Sequence, residues 1–123
     1  MRNGASKKGR DVHLYLTDIL QSIAEILAFT KKMDFDGFVK DKRTFKAVWK
    51  DFEIIGEAVK SLPADIKAKH PEVNWKAVVG MRDKLTHEYF GVSHMILWTT
   101  ISKDLPGIEK AVKKLLEENG LGA

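Results

Sequence analysis

Residues 11–31 read DVHLYLTDILQSIAEILAFTK. The apolar positions Val12, Tyr15, Leu16, Ile19, Leu20, Ile23, Ile26, Leu27 and Thr30 recur every three or four residues, the spacing of one face of an α-helix. Asp11 is suited to capping that helix. A stripe this long needs partners to bury it, and the other apolar segments share its period. After a corner at residues 31–37, a second helix opens near Phe38 and Val39. It lines up Phe45, Val48, Trp49, Phe52, Ile54, Ile55 and Val59 and stops before Pro63. Residues 63–69 read as a short helix entered through Pro63 and closed by His70-Pro71. Asn74 caps a helix starting at Trp75, and Gly91 is expected to end it. Ser93 would then cap a last helix that Pro106 kinks or splits. No segment alternates like a strand, no repeat appears and no linker divides the chain. The pattern therefore predicts an all-α protein, an antiparallel bundle of four to five helices.

The length of 123 residues suits one domain. Four of the 21 basic residues and none of the 17 acidic ones fall in residues 1–10, so the remaining body is neutral. The basic character thus belongs to an arm, residues 1–10, expected to be disordered, ahead of one helical domain over residues 11–119. No apolar run looks long enough to span a bilayer, so no membrane segment is expected. The basic start leads into charged residues unlike a secretion signal. Cysteine is absent, which excludes disulfides and thiolate chemistry; a cytoplasmic location is expected. The cluster Lys40, Lys42, Arg43 and Lys46 is read as a solvated face, His13 as a solvated side chain and His70 as a loop residue.

One stretch carries more chemistry than packing needs: Gly80-Met81-Arg82-Asp83-Lys84-Leu85-Thr86-His87-Glu88-Tyr89-Phe90-Gly91. Asp83 and His87, four apart, share a helix face, so the carboxylate could fix the tautomer of the ring. The exposed carbonyls of a last helical turn, with Asp83 and Glu88 nearby, favour a ring that titrates near neutral pH and serves as an acid or base. Arg82 supplies a forked cation suited to a phosphoryl oxygen. Together they could cleave RNA, with His87 taking the 2′-OH proton and Arg82 stabilising the phosphorane oxygens. DNA lacks that nucleophile. Arg82 and His87 lie ~140° apart on an ideal helix. Both reach one phosphate if Arg82 curls round, if the helix end distorts, or if a second copy supplies one group, and the last option points to a two-fold dimer. The plain alternative is a cap-like surface His and a salt-bridged Arg. For Glu57 two readings stand level: orienting Arg82 across a helix pair, or pairing with Lys60.

The Gly-Met-Arg-Asp-x-x-x-His-x-Tyr-Phe run resembles the signature of HepT-like proteins, a branch of the HEPN domains. Ala47 through Val59, Pro71 through Trp75, and Trp98 with Asp104-Leu105-Pro106 are similar to other blocks of that family, so the likeness covers about residues 11–116. The resemblance implies a HEPN-like helical dimer with both Arg-x4–6-His motifs in one cleft. It also implies a metal-independent ribonuclease toxin needing no cofactor, paired with an MntA-like nucleotidyltransferase antitoxin. That partner would transfer AMP from ATP to the motif tyrosine. On this resemblance Arg82 and His87 are catalytic, Asp83 and Glu57 supporting, and Tyr89 the modified residue. The alternative function is a non-catalytic module that binds a nucleotidyltransferase or a nucleotide; a purely structural dimer is a third.

Overall fold

The structure, a computed structural model, describes the backbone of residues 4–87 and 90–118 and the side chains of residues 11–85 and 94–118. Among these there are helices and no strand: α1 (Gly4–Thr30), α2 (Phe35–Lys40), α3 (Lys42–Ser61), α4 (Ala64–Ala68), α5 (Trp75–His87), α6 (Phe90–Lys103) and α7 (Leu105–Glu118). α3 is the central member. It packs along α1 and against α5, while α7 closes on α1 and α6, and α2 bridges α3 and α6. The periodic stripe of α1 is buried as its spacing requires: Leu16, Ile19, Ile23 and Ile26 are fully enclosed. Phe45, Val48, Ile55 and Val59 of α3 meet them, with Leu97 of α6 and Leu105, Val112 and Leu115 of α7 completing the core. Each such side chain contributes about 1.5–3 kcal/mol through burial.

Three boundaries differ from the sequence expectations. α1 starts at Gly4 rather than at Asp11, so most of the basic arm continues the helix and Asp11 lies inside it. Nucleation is the costly step of helix formation, and extending a helix already held by its core face costs little. By length and mean hydropathy (1.3), residues Asp11–Thr30 also suffice for a membrane span, contrary to the expectation from the sequence. Their apolar stripe is occupied by α3 and α7. Gly91 and Ser93 are not a terminus and a cap; both lie in the first turn of α6.

The corner before α3 holds a helix of its own. The Asp34 carboxylate accepts from the Gly37 N–H at 2.8 Å, capping α2. A Cβ on residue 37 would come within 3.1 Å of that oxygen, which explains the glycine. One turn later Asp41 accepts from the Thr44 N–H and hydroxyl, both at 2.9 Å, and starts α3. Those bonds hold its carboxyl below the usual range. Between the caps, Phe38 drives its ring into the core against Phe45 and Trp98. Pro106 falls in the first turn of α7, where its missing N–H is harmless, and splits the last helix as expected.

Asp51 of α3 is an ionisable group inside this core, 3% exposed. Burial and the neighbouring Glu25 of α1 push its carboxyl up to about 7, while Ser22 of α1 favours the ionised form. Because the folded carboxyl keeps its proton to higher pH than the unfolded one, its contribution to stability is fullest below about pH 4 and is lost as pH rises towards 7. The variant Asp51→Asn is expected to flatten that dependence. In thermal melts its midpoint should exceed the wild-type value by several degrees at pH 8, about 1 kcal/mol, and should lose the advantage at pH 4.5. Parallel pH curves for the two proteins would refute a titrating Asp51.

Candidate functional site at the contact of α3 and α5

Asn74 starts α5, its side chain accepting from the Ala77 N–H at 3.0 Å. Trp75 anchors that end, its indole N–H donating to the carbonyls of Lys67 and His70 at 3.0 Å each. From there α5 runs along α3. The two helices come close at Gly56, where a Cβ would lie 3.5 Å from Arg82 Cβ and 3.7 Å from the Val78 carbonyl. A single carbon would just touch, and any larger side chain would push the helices apart. Glu57, the next residue, forms an ion pair from Oε2 to Arg82 Nη1.

That ion pair gives Glu57 its place across the helix pair; among the described residues it makes none with Lys60. Both side chains are about half exposed, 42% for Arg82 and 53% for Glu57. An exposed pair of this kind adds no more than about 1 kcal/mol to stability. Arg82 faces an open groove of ≈ 370 Å³, shared with Tyr15 and Asp18 of α1 and Lys50 and Glu53 of α3. A larger cavity, ≈ 400 Å³, lies on another side of α5 among Phe52, Met81, Lys84, Ile96 and Leu105. It includes neither Arg82 nor Glu57.

Asp83 is exposed on α5. His87 is the last residue of that helix, but its side chain lies outside the described residues, and so does Tyr89 altogether. The backbone is helical through His87, which leaves Arg82 and His87 ~140° apart about the axis. Among the described residues no three His, Asp or Glu side chains group as metal ligands.

Two histidines matter more than the sequence implied. His70, read as a loop residue, is buried and bridges Glu72 through Nδ1 (2.9 Å) and Glu118 of α7 through Nε2 (3.0 Å). The bond to Glu72 and then that to Glu118 raise its pKa against the effect of burial. It ties the entrance of α5 to the end of the chain; nothing near Pro71 signals a partner 48 residues away. His94, not singled out from the sequence, stacks on Phe45 with ring centroids 3.9 Å apart and is 2% exposed. Its register with Leu97, Trp98 and Ile101 was the available signal for a core position.

Residues 19–115 match the family described as Ribonuclease HepT-like. The chain belongs to that family. Among its relatives is a protein called "Probable ribonuclease HepT" from Thermococcus cleftensis, 46% identical over 101 residues, covering 82% of this chain and 92% of the relative. A protein of Caldanaerobacter subterraneus subsp. tengcongensis, named as a candidate RNase, is 48% identical over 104 residues, covering 85% and 93%. Another so named, from Methanocaldococcus jannaschii, is 43% identical over 109 residues, covering 89% and 90%. No solved structure matches the chain. The HepT-like match takes in the whole α3–α5 contact, including Gly56, Glu57 and Arg82.

If Glu57 aims Arg82, Glu57→Gln should lower ribonuclease kcat/KM by about tenfold or more while moving stability by less than about 1 kcal/mol. RNA cleavage kinetics beside a denaturant melt check both halves. Unchanged kinetics would reduce the ion pair to a surface contact.

Proposed function

We propose that this HepT-like protein is a metal-independent endoribonuclease whose site is completed by two copies of the chain. The observation that carries the reading is Arg82, held by Glu57 on the edge of an open groove, on the helix that ends at His87. In the reaction His87 takes the proton of a ribose 2′-OH, and the 2′-oxygen bonds to the adjacent phosphorus. Arg82 stabilises the charge on the non-bridging oxygens. The P–O5′ bond breaks, O5′ gains a proton, and the products are a 2′,3′-cyclic phosphate and a 5′-hydroxyl. The ~140° between Arg82 and His87 is the reason for a second copy: one subunit supplies the arginine, the other the histidine. Asp83, four residues before His87, orients the ring.

The protein would act in the cytoplasm as a toxin, restrained by a nucleotidyltransferase of MntA type. In that step Tyr89 Oη attacks the α-phosphorus of ATP, loses its proton and displaces pyrophosphate. A phosphodiester anion two residues from His87 would then repel the RNA backbone and block the cleft sterically. ATP serves only as the partner's AMP donor.

His87→Ala and Arg82→Ala should each lower RNA cleavage by at least about 10²-fold with helical circular dichroism retained, and an all-DNA strand should remain uncut. Mixing the two inactive variants should restore about a quarter of wild-type activity, because half the exchanged dimers are mixed and each holds one intact site of two. No recovery in verified mixed dimers would reject the shared site. A folded wild-type protein that cuts no RNA yet binds the nucleotidyltransferase would favour the non-catalytic module.

Co-expression with the cognate nucleotidyltransferase should add an adenylyl mass to the wild-type protein and silence it. Tyr89→Phe should escape both effects in intact-mass spectrometry and growth assays. A mass gain that persists in Tyr89→Phe would place the modification elsewhere.

A further inference from the structure

Lys50, Glu53, Ile54, Glu57, Ala58 and Ser61 recur at helical spacing on one face of α3 and form a wall of the groove at Arg82. They span ~16 Å of helix. Across from them stand Tyr15 and Asp18 of α1. Tyr15 is half-buried, its ring resting on the core edge. Its hydroxyl makes no hydrogen bond among the described residues, and Asp18, Lys50 and Glu53 make no ion pair there. An aromatic ring, an apolar floor of Ile54 and Ala58, and unengaged polar groups thus adjoin the paired arginine.

The signs of the charges narrow the occupant. Asp18, Glu53 and Glu57 put three carboxylates beside the two cations Lys50 and Arg82. A groove meant only to follow phosphates would be lined with cations. Carboxylates suit the amino edge of a base, as when Asp or Glu accepts from the cytosine N4 amine. Aromatic rings stack on any base and hold single strands. Adenine, cytosine and guanine present an amino group; uracil presents one N–H between two carbonyls, which carboxylates repel. Tyr15 and Asp18 also lie before residue 19, where the family match begins.

We propose that this groove is a nucleobase subsite for single-stranded RNA. A base stacks on Tyr15 and donates its amino group to Asp18 or Glu53, Arg82 holds the adjoining phosphate, and Lys50 neutralises the next one. The subsite would favour amino-bearing bases over uracil beside the cut. This rests on the ribonuclease reading above for the role of Arg82, but its test does not require turnover.

Short 2′-O-methyl oligonucleotides, which cannot be cleaved, are titrated by fluorescence anisotropy against wild type, Tyr15→Leu, Tyr15→Phe and Asp18→Asn. Tyr15→Leu keeps apolar volume and should weaken binding about tenfold or more, as loss of one stacked base does. Tyr15→Phe restores the ring and should recover most of that loss. Asp18→Asn should narrow the gap between adenine- or cytosine-containing and uracil-only strands. A folded Tyr15→Leu protein that binds every strand as wild type does overturns the proposal. So does a weakening that size-exclusion traces to loss of a dimer, since the ring would then serve a contact between copies. Wild type that binds with the stated base preference but never cleaves RNA would sink the ribonuclease reading and leave the subsite standing; wild type that does neither ends both.

Discussion

The close approach of α3 and α5 at Gly56 is the constraint from which the arrangement of the site follows. With no side chain at that position, the backbone of α5 comes near enough for Arg82 Cβ to lie within van der Waals reach of a Cβ built there. The next residue, Glu57, is then opposite the guanidinium and pairs with it. The pair is half exposed, so solvent screens it and little of the fold's stability depends on it. It lies at the edge of the groove that Arg82 and Glu57 both line.

The helices can hold that approach because their ends are fixed elsewhere. Trp75 and His70 bind the start of α5 to the α4 segment and to Glu118 at the end of α7. Asp34 and Asp41 fix the start of α3 through two successive caps. Two of the buried ionisable groups, His70 and Asp51, have different neighbours. His70 has two carboxylates to favour its charged form, so its pKa rises. Asp51 is buried, with the Glu25 carboxyl beside it, where α1 meets α3, so its proton is retained to about neutral pH. Both therefore lose stabilising influence as pH rises.

Helix periodicity made most of the fold legible. The stripe from Val12 to Ile26, the α3 face from Phe45 to Val59, the Asn74 cap and the break near Pro106 can all be read from residue spacing and backbone chemistry. Boundaries were less legible, because an end is settled by small differences in free energy. Gly4 and Gly9 read as an unstructured arm, yet the core-anchored helix extends through them. Gly91 read as a stop, yet it lies in a first turn. Of the site residues, Arg82 and Glu57 are joined by the observed ion pair, while the side chains of His87 and Tyr89 fall outside the described residues.

The sequence by itself determined the helical class, the faces to be buried and the membership in a ribonuclease family, because periodicity and motif order are properties of the linear chain. Only the tertiary structure decided that Glu57 meets Arg82 rather than Lys60, that His70 reaches Glu118, and that Tyr15 and Asp18 share a groove with the motif arginine. Those pairings join residues distant in the chain, and their distances depend on how closely whole helices pack, which no local spacing encodes.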